Sequence, residues 1–180
     1  MDNFKEGLMA DMTRSKTRER EASPGVKYDI AYQSRGDFLG QNMTGQVLVK
    51  DSDREWEWCR QGYLKWYVLE KEYDTVLQDW WVFIHDIKKV SGKHRHQGGL
   101  VLFIIEGRGA TEVNGELFPW KKGDCVLLPM HPDGIEHKHY NYGDEPAKWL
   151  AFIHIPTWNH VASELTQIEV SQEFQKRSGQ

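Results

Sequence analysis

Two pairs of histidines carry the residue types and spacing that could do chemistry. His94 and His96 flank Arg95 in SGKHRHQGG, and His137 and His139 flank Lys138 in GIEHKHYN. Alternate residues of an extended segment share a face, about 7 Å apart, so each pair projects both imidazoles to one side. Imidazole nitrogens hold metal ions at about 2.0–2.1 Å, and two strand neighbours can converge on one ion. Two ligands rarely suffice, so a third must arrive from elsewhere. Taken alone, His94 and His96 read as readily as a solvated pair, because Lys93 and Arg95 alternate with them. The second pair, again with period 2, changes that balance if both segments face one interior.

The elements between them make that possible. From Gly62 onward the chain becomes a series of short aromatic or β-branched runs: YLKWYVLEKE, WWVFIHDIKK, LVLFII, GATEV, ELFPW, DCVLLP and KWLAFIHI. Gly, Pro, Asn or Asp bounds each run, which is the pattern of strands. Val113-Asn114-Gly115-Glu116 predicts a two-residue hairpin, since Asn-Gly tolerates the positive φ angles of a type I′ turn. Lys121-Lys122-Gly123-Asp124 reads as another turn. Many short strands without helical periods predict an all-β antiparallel sandwich or barrel. With no internal repeat, the expectation is one barrel.

Four segments follow from this reading. Residues 1–25 alternate Lys and Arg with Glu up to Ser23-Pro24-Gly25 and read as a mobile charged arm or a charged helix. Residues 26–74 form an N-terminal extension. In it Ser52 and Glu55 have capping-box spacing and Gly62 sits where a helix would stop, predicting a short helix at about 53–61. Residues 75–156 form the barrel. Residues 157–180 form a tail with a possible helix through Leu165, Ile168 and Phe174.

Composition removes several functions. The chain has 180 residues, a formal charge of -4, eight Trp, seven Tyr and seven Phe. It has no basic field for nucleic acid, and its aromatic content argues for a packed core. Cys59 and Cys125 form no CxxC, which excludes a thiolate zinc site and a disulfide framework. No apolar run reaches the length of a membrane span, and the N-terminus lacks the apolar core of a secretory signal. The expectation is a cytoplasmic protein.

The two histidine blocks, in this order, resemble the cupin family. The first block reads HRHQGGLVLFIIEG, and the second runs GDCVLLP from Gly123 to Pro129, then GIEHKHYN from Gly134 to Asn141. The Gly-to-Pro, Gly-to-His and His-to-Asn spacings match that family, with three extra residues between Pro129 and Gly134. The resemblance spans residues 75–156 and implies a double-stranded β-helix, or jelly-roll barrel, here with a short N-terminal helical extension. It implies His94, His96 and His137 as metal ligands. The family's glutamate, four positions after the second histidine, falls on Leu100, leaving a site of three neutral imidazoles. Such a site suits Fe(II), with Zn, Ni, Cu or Mn as alternatives, and disfavours Mg or Ca.

Within the cupins the chain looks most like gentisate 1,2-dioxygenases, which carry HRH without the glutamate. The corresponding text here is HRHQGG, EGRGATEVNGE, HKHYN and GDEPAKWL. Those enzymes usually have two barrels and this chain one. The resemblance implies a non-heme Fe(II) dioxygenase that uses O2 to cleave a hydroxylated aromatic or other enolisable substrate, gentisate-, hydroquinone- or salicylate-like. His139 and Gln97 would serve the chemistry, with His139 as proton relay or substrate hydrogen-bond partner. Asn141 is expected to fix a turn, Arg108 to be a solvated turn residue, and His85 and His154 to be structural. His131 falls in the lengthened loop. The aromatic stripe Trp80–Phe83, with Trp56, Trp58 and Trp66, suggests a homodimer. Two alternatives stay open: a metal-dependent decarboxylase, lyase or isomerase without O2, and a non-catalytic metal-bearing barrel that binds a small molecule.

Overall fold

The computed structural model describes Lys27, Gly40 and residues 42–179. The expected charged arm at 1–25 lies outside the described residues. The chain divides into two units, Met1–Val47 with Asp74–Val76, and Leu48–Tyr73 with Leu77–Gln180. In the described part of the first, Gln46 and Thr75 form a parallel bridge, and Gln46 N–H donates to the Asp74 carbonyl at 2.8 Å.

The second unit is built from two antiparallel sheets. One contains β1 (Trp56–Cys59), β2 (Gly62–Val68), β3 (Trp80–Ile87), β5 (Leu100–Glu106), β8 (Cys125–Leu128) and β10 (Ala147–His154), in the order β1-β2-β3-β10-β5-β8. The other contains β4 (Lys93–His96), β6 (Arg108–Val113), β7 (Glu116–Lys121), β9 (Ile135–Asn141) and β11 (Thr166–Glu169), in the order β11-β4-β9-β6-β7. Two short helices, α1 (Ile155–His160) and α2 (Gln172–Ser178), flank β11. This is the expected cupin jelly roll.

Period-2 patterning explains why these segments are strands. Along β5, Leu100, Leu102 and Ile104 are buried while Val101 and Phe103 are exposed. Along β10, Ala147, Trp149, Ala151 and Ile153 turn inward. With Leu128, Ile135 and Trp120 they form one apolar cluster between the sheets. Each fully buried large apolar side chain contributes roughly 1.5–3 kcal/mol. The Asn114-Gly115 turn forms as predicted, with φ angles of 49° and 88° and Val113 opposite Glu116.

Two local expectations are corrected. Residues 53–61 are not a helix: a single 3-10 turn spans Asp51–Asp53, and WEWC then enters the first sheet as β1. Lys50 N–H donates to the Asp53 carboxylate at 2.9 Å, so the capping contact is made two residues earlier than the Ser52–Glu55 spacing suggests. Gly62 does not stop a helix but opens β2, opposite Cys59 across a two-residue turn. The tail is likewise not helical throughout: Thr166–Glu169 pairs with β4, and only Gln172–Ser178 forms a helix. Among the described residues no helix is long and apolar enough to cross a membrane.

Candidate metal centre

The register between β4 and β9 brings the two histidine pairs together. His94 is the direct partner of His137, and His96 pairs with Ile135. The ligand atoms of His94, His96 and His137 all lie within 4.8 Å of one another. Ring centroids are 4.0 Å apart for His94–His137, 4.6 Å for His96–His137 and 5.4 Å for His94–His96.

A trio this close needs something to bind. His94 Nδ1, His96 Nε2 and His137 Nδ1 are buried without hydrogen-bond partners, and buried polar atoms ordinarily have one. The Gly98 N–H meets His96 Nδ1 at 2.8 Å, which leaves Nε2 as the free nitrogen of that ring. Gly98 has a φ of +84° and approaches the Pro129 carbonyl so closely that a Cβ would lie 1.8 Å from its oxygen. Burial first, then the neighbouring imidazoles, holds His94 and His137 well below the ordinary histidine range, and burial holds His96 at about 4. The three rings are therefore neutral ligands with lone pairs available. These residues fit a single divalent ion of the imidazole-binding kind.

His139 sits two residues beyond His137 on the same buried face. Its Nδ1 lies 3.0 Å from Thr111 Oγ1, and that hydroxyl also accepts the Trp120 indole N–H at 2.9 Å. Its backbone N–H donates to Ser91 Oγ at 2.9 Å. Burial, then His137 and His85, pushes its pKa well down, so the ring is neutral.

A cavity of about 470 Å³ opens beside these rings. Its walls are mainly apolar, with Trp66, Trp81, Phe83, Leu100, Trp149 and Trp158 prominent. Leu100, which stands where the family's glutamate would be, is 6% exposed.

Other expected residues lie elsewhere. Gln97 is not among the cavity-lining residues: its Oε1 accepts the Glu164 N–H at 2.7 Å and its own N–H donates to Ser163 Oγ at 3.2 Å. Asn141 fixes a turn, donating to the Lys88 and Glu145 carbonyls and accepting the Gly143 N–H. Arg108 is exposed. His131 is exposed and accepts the Asp133 N–H. His154 contacts Thr157 and Asp79.

His85 is different. Read from sequence as structural, it lines the cavity with Trp81 and Phe83, which share its face of β3. The alternation in WWVFIHDI was the signal that could have found it.

Residues 82–153 match the cupin domain family model, and this stretch is a cupin domain with three histidines at its centre. It resembles gentisate 1,2-dioxygenases. The enzyme of that name from Ralstonia sp. is 42% identical over 64 residues, covering 35% of this chain and 17% of that protein. Another from Streptomyces sp. is 37% identical over 70 residues, covering 38% and 19%. The chain thus spans less than a fifth of the length of these relatives. A solved salicylate 1,2-dioxygenase from Pseudaminobacter salicylatoxidans aligns with a TM-score of 0.42 at 25% identity, covering 53% of this chain and 27% of that one.

Proposed function

We propose that this protein is an iron(II)-dependent dioxygenase that opens a hydroxylated aromatic ring. The observation that carries the reading is the convergence of His94, His96 and His137 without a carboxylate, Leu100 standing in its place. Iron(II) held by these three rings would supply open positions at which a substrate oxygen and dioxygen meet on one centre.

The chain's own residues do the rest. Trp81, Phe83, Trp149 and Trp158 offer flat apolar walls to a one-ring molecule and exclude water around it. His139 is held through Nδ1 by Thr111, and its Nε2 has no partner among the described residues, so that nitrogen is available to hold or pass a proton at a substrate oxygen. Gln97 enters as a positioning residue, tying the end of β4 to the 163–164 segment. Val101 and Leu127, opposite each other on the outer face of the first sheet and exposed beside Phe103, support pairing of copies into a homodimer.

The test is oxygen consumption by iron(II)-reconstituted protein with hydroxylated aromatic acids and hydroquinones. Uptake that requires both iron and His137 is the expected result. A protein that holds stoichiometric iron and consumes no oxygen with any of them overturns the reading.

A further inference from the structure

Gln61 stands in the two-residue turn between β1 and β2, before the stretch that matches the cupin family model, yet its side chain lines the cavity. Its amide orientation is fixed by a neighbour. Gln167 Nε2 donates to the Lys93 and Glu169 carbonyls at 3.2 and 2.7 Å, which leaves Gln167 Oε1 as an acceptor. Gln61 Nε2 donates to that oxygen at 2.8 Å. Gln61 Oε1 is thereby the free end of the amide, and it is buried without a hydrogen-bond partner. Among the described residues that line the cavity, no other buried side-chain oxygen lacks one. Leaving such an acceptor idle is costly.

The turn is fastened on two sides of His94. The Gln61 carbonyl accepts the Gly92 N–H at 2.9 Å, two residues before His94 along the chain. A Cβ on Gly92 would lie 2.5 Å from the Arg60 carbonyl oxygen and 3.0 Å from Gln167 Nε2, so the turn, the start of β4 and β11 close on one point. Gln167 is in turn the direct partner of His94 across the β11–β4 ladder. His137 pairs with His94 from the opposite side, on β9. Of the three candidate ligands, His94 is the one that Gln61 flanks.

His94 needs what Gln61 offers. A metal ion takes one nitrogen of a neutral imidazole, and the other carries a proton that an acceptor must hold. For His96 the second nitrogen already meets the Gly98 N–H. His94 Nδ1 is buried without a partner.

We propose that Gln61 is a positioning residue of the metal centre, its Oε1 accepting the Nδ1 proton of His94 when an ion occupies the other ring nitrogen. The bond fixes the tautomer and orientation of that imidazole and raises its basicity as a ligand. The β1–β2 turn thus completes the centre from outside the family-matching stretch. The inference needs the three-histidine centre but not the ring-cleavage reading, since zinc(II) alone reports it.

Zinc(II) calorimetry, with the ring N–H signals of zinc-loaded protein carrying isotope-labelled histidine, tests this. In the wild type the His94 N–H is expected far downfield and slow to exchange. Gln61→Met keeps the length of the side chain without the acceptor. Zinc affinity should fall about 10–100-fold, and the His94 N–H should exchange faster. Gln61→Glu keeps an acceptor oxygen but not the donation to Gln167, and should recover part of the affinity. Gln167→Met removes the link while Gln61 Oε1 stays, and should cost less than Gln61→Met.

Unchanged zinc affinity in a folded Gln61→Met overturns the assignment. Equal losses in Gln61→Met and Gln61→Glu overturn it as well, by making the lost link to Gln167 the cause. A larger loss in Gln167→Met transfers the contact to Gln167. If Gln61→Met does not fold, the ring signal decides: a His94 N–H that exchanges as freely as that of exposed His131 overturns the assignment, and a protected one that persists in Gln61→Glu supports it. Wild-type protein that binds neither zinc(II) nor iron(II) overturns the metal centre and this inference with it. Zinc results as expected, with no oxygen uptake by the iron(II) form, overturn the ring-cleavage reading alone.

Discussion

His94 and His137 are direct partners across the β4–β9 ladder, and their rings are closer than any other pair in the histidine cluster, at 4.0 Å. The contact is a property of register. Side chains alternate faces along a strand, so a slip of one residue would turn His137 away and bring Glu136 or Lys138 inward. The hydrogen-bonded ladder and the tripod therefore specify each other.

Metal binding should depend on this pair. His137→Ala is expected to weaken iron(II) or zinc(II) affinity at least a hundredfold by calorimetry. In the wild type, metal at a hundred times its Kd adds about 2.7 kcal/mol and raises Tm by about 5–10 °C. Chelation should reverse that rise, and His137→Ala should show none.

Leu100→Glu puts a carboxylate beside three neutral imidazoles. The variant is expected to bind divalent metal more tightly, because an anion joins the ligand set, and to consume oxygen more slowly, because it fills a position otherwise open. Without metal the new acid is buried and unpaired, costing about 2–4 kcal/mol in urea unfolding. Unchanged metal affinity with undiminished oxygen uptake would show that residue 100 does not reach the ion.

Thr111 links His139 to Trp120 through one hydroxyl. Thr111→Val keeps the shape and strands two buried polar groups, at a cost of about 2–3 kcal/mol. Thr111→Ser should recover most of it. If His139 moves a proton, Thr111→Val also shifts the pH profile of oxygen uptake, a change that lost packing alone does not produce.

Acid should destabilise the metal-free protein. An unfolded histidine takes up its proton near pH 6.5, whereas burial holds folded His85 at about 3 and His96 at about 4, with His94, His137 and His139 also well down. Between pH 6.5 and about 4 the unfolded state binds more protons, so stability falls as pH falls, by about 1.4 kcal/mol per pH unit for each imidazole. Above pH 7 these groups are neutral in both states and contribute no slope. Urea unfolding at pH 8, 7 and 5.5 reads this directly.

The barrel was legible because its signals are local and periodic. Strands from Gly62 to His154 are short aromatic or β-branched runs bounded by turn residues, and the tripod follows from the period of 2 in HRH and HKH. The misreadings arise where local and tertiary signals conflict. Ser52 and Glu55 have helix-capping spacing, but Trp56 and Trp58 both stack on Tyr63, and pairing with β2 prevails. Leu165 and Ile168 fit a helical period, yet the free edge of β4 takes Thr166–Glu169 as a strand. The alternation in WWVFIHDI puts His85 on one face with Trp81 and Phe83, but only the fold shows that this face lines the cavity. Gln97 adjoins the ligands in sequence, but contacts made 66 and 67 residues away fix its amides.

The cavity is bounded by the cupin stretch and by the lengths of chain on both sides of it. The three ligands and part of the apolar wall come from the cupin stretch at 82–153, while Glu57, Arg60, Gln61, Trp66 and Trp81 before it and Trp158, Ser163 and Gln167 after it lie outside. Substitutions in these flanking lengths would reshape the cavity while leaving the three candidate ligands in place.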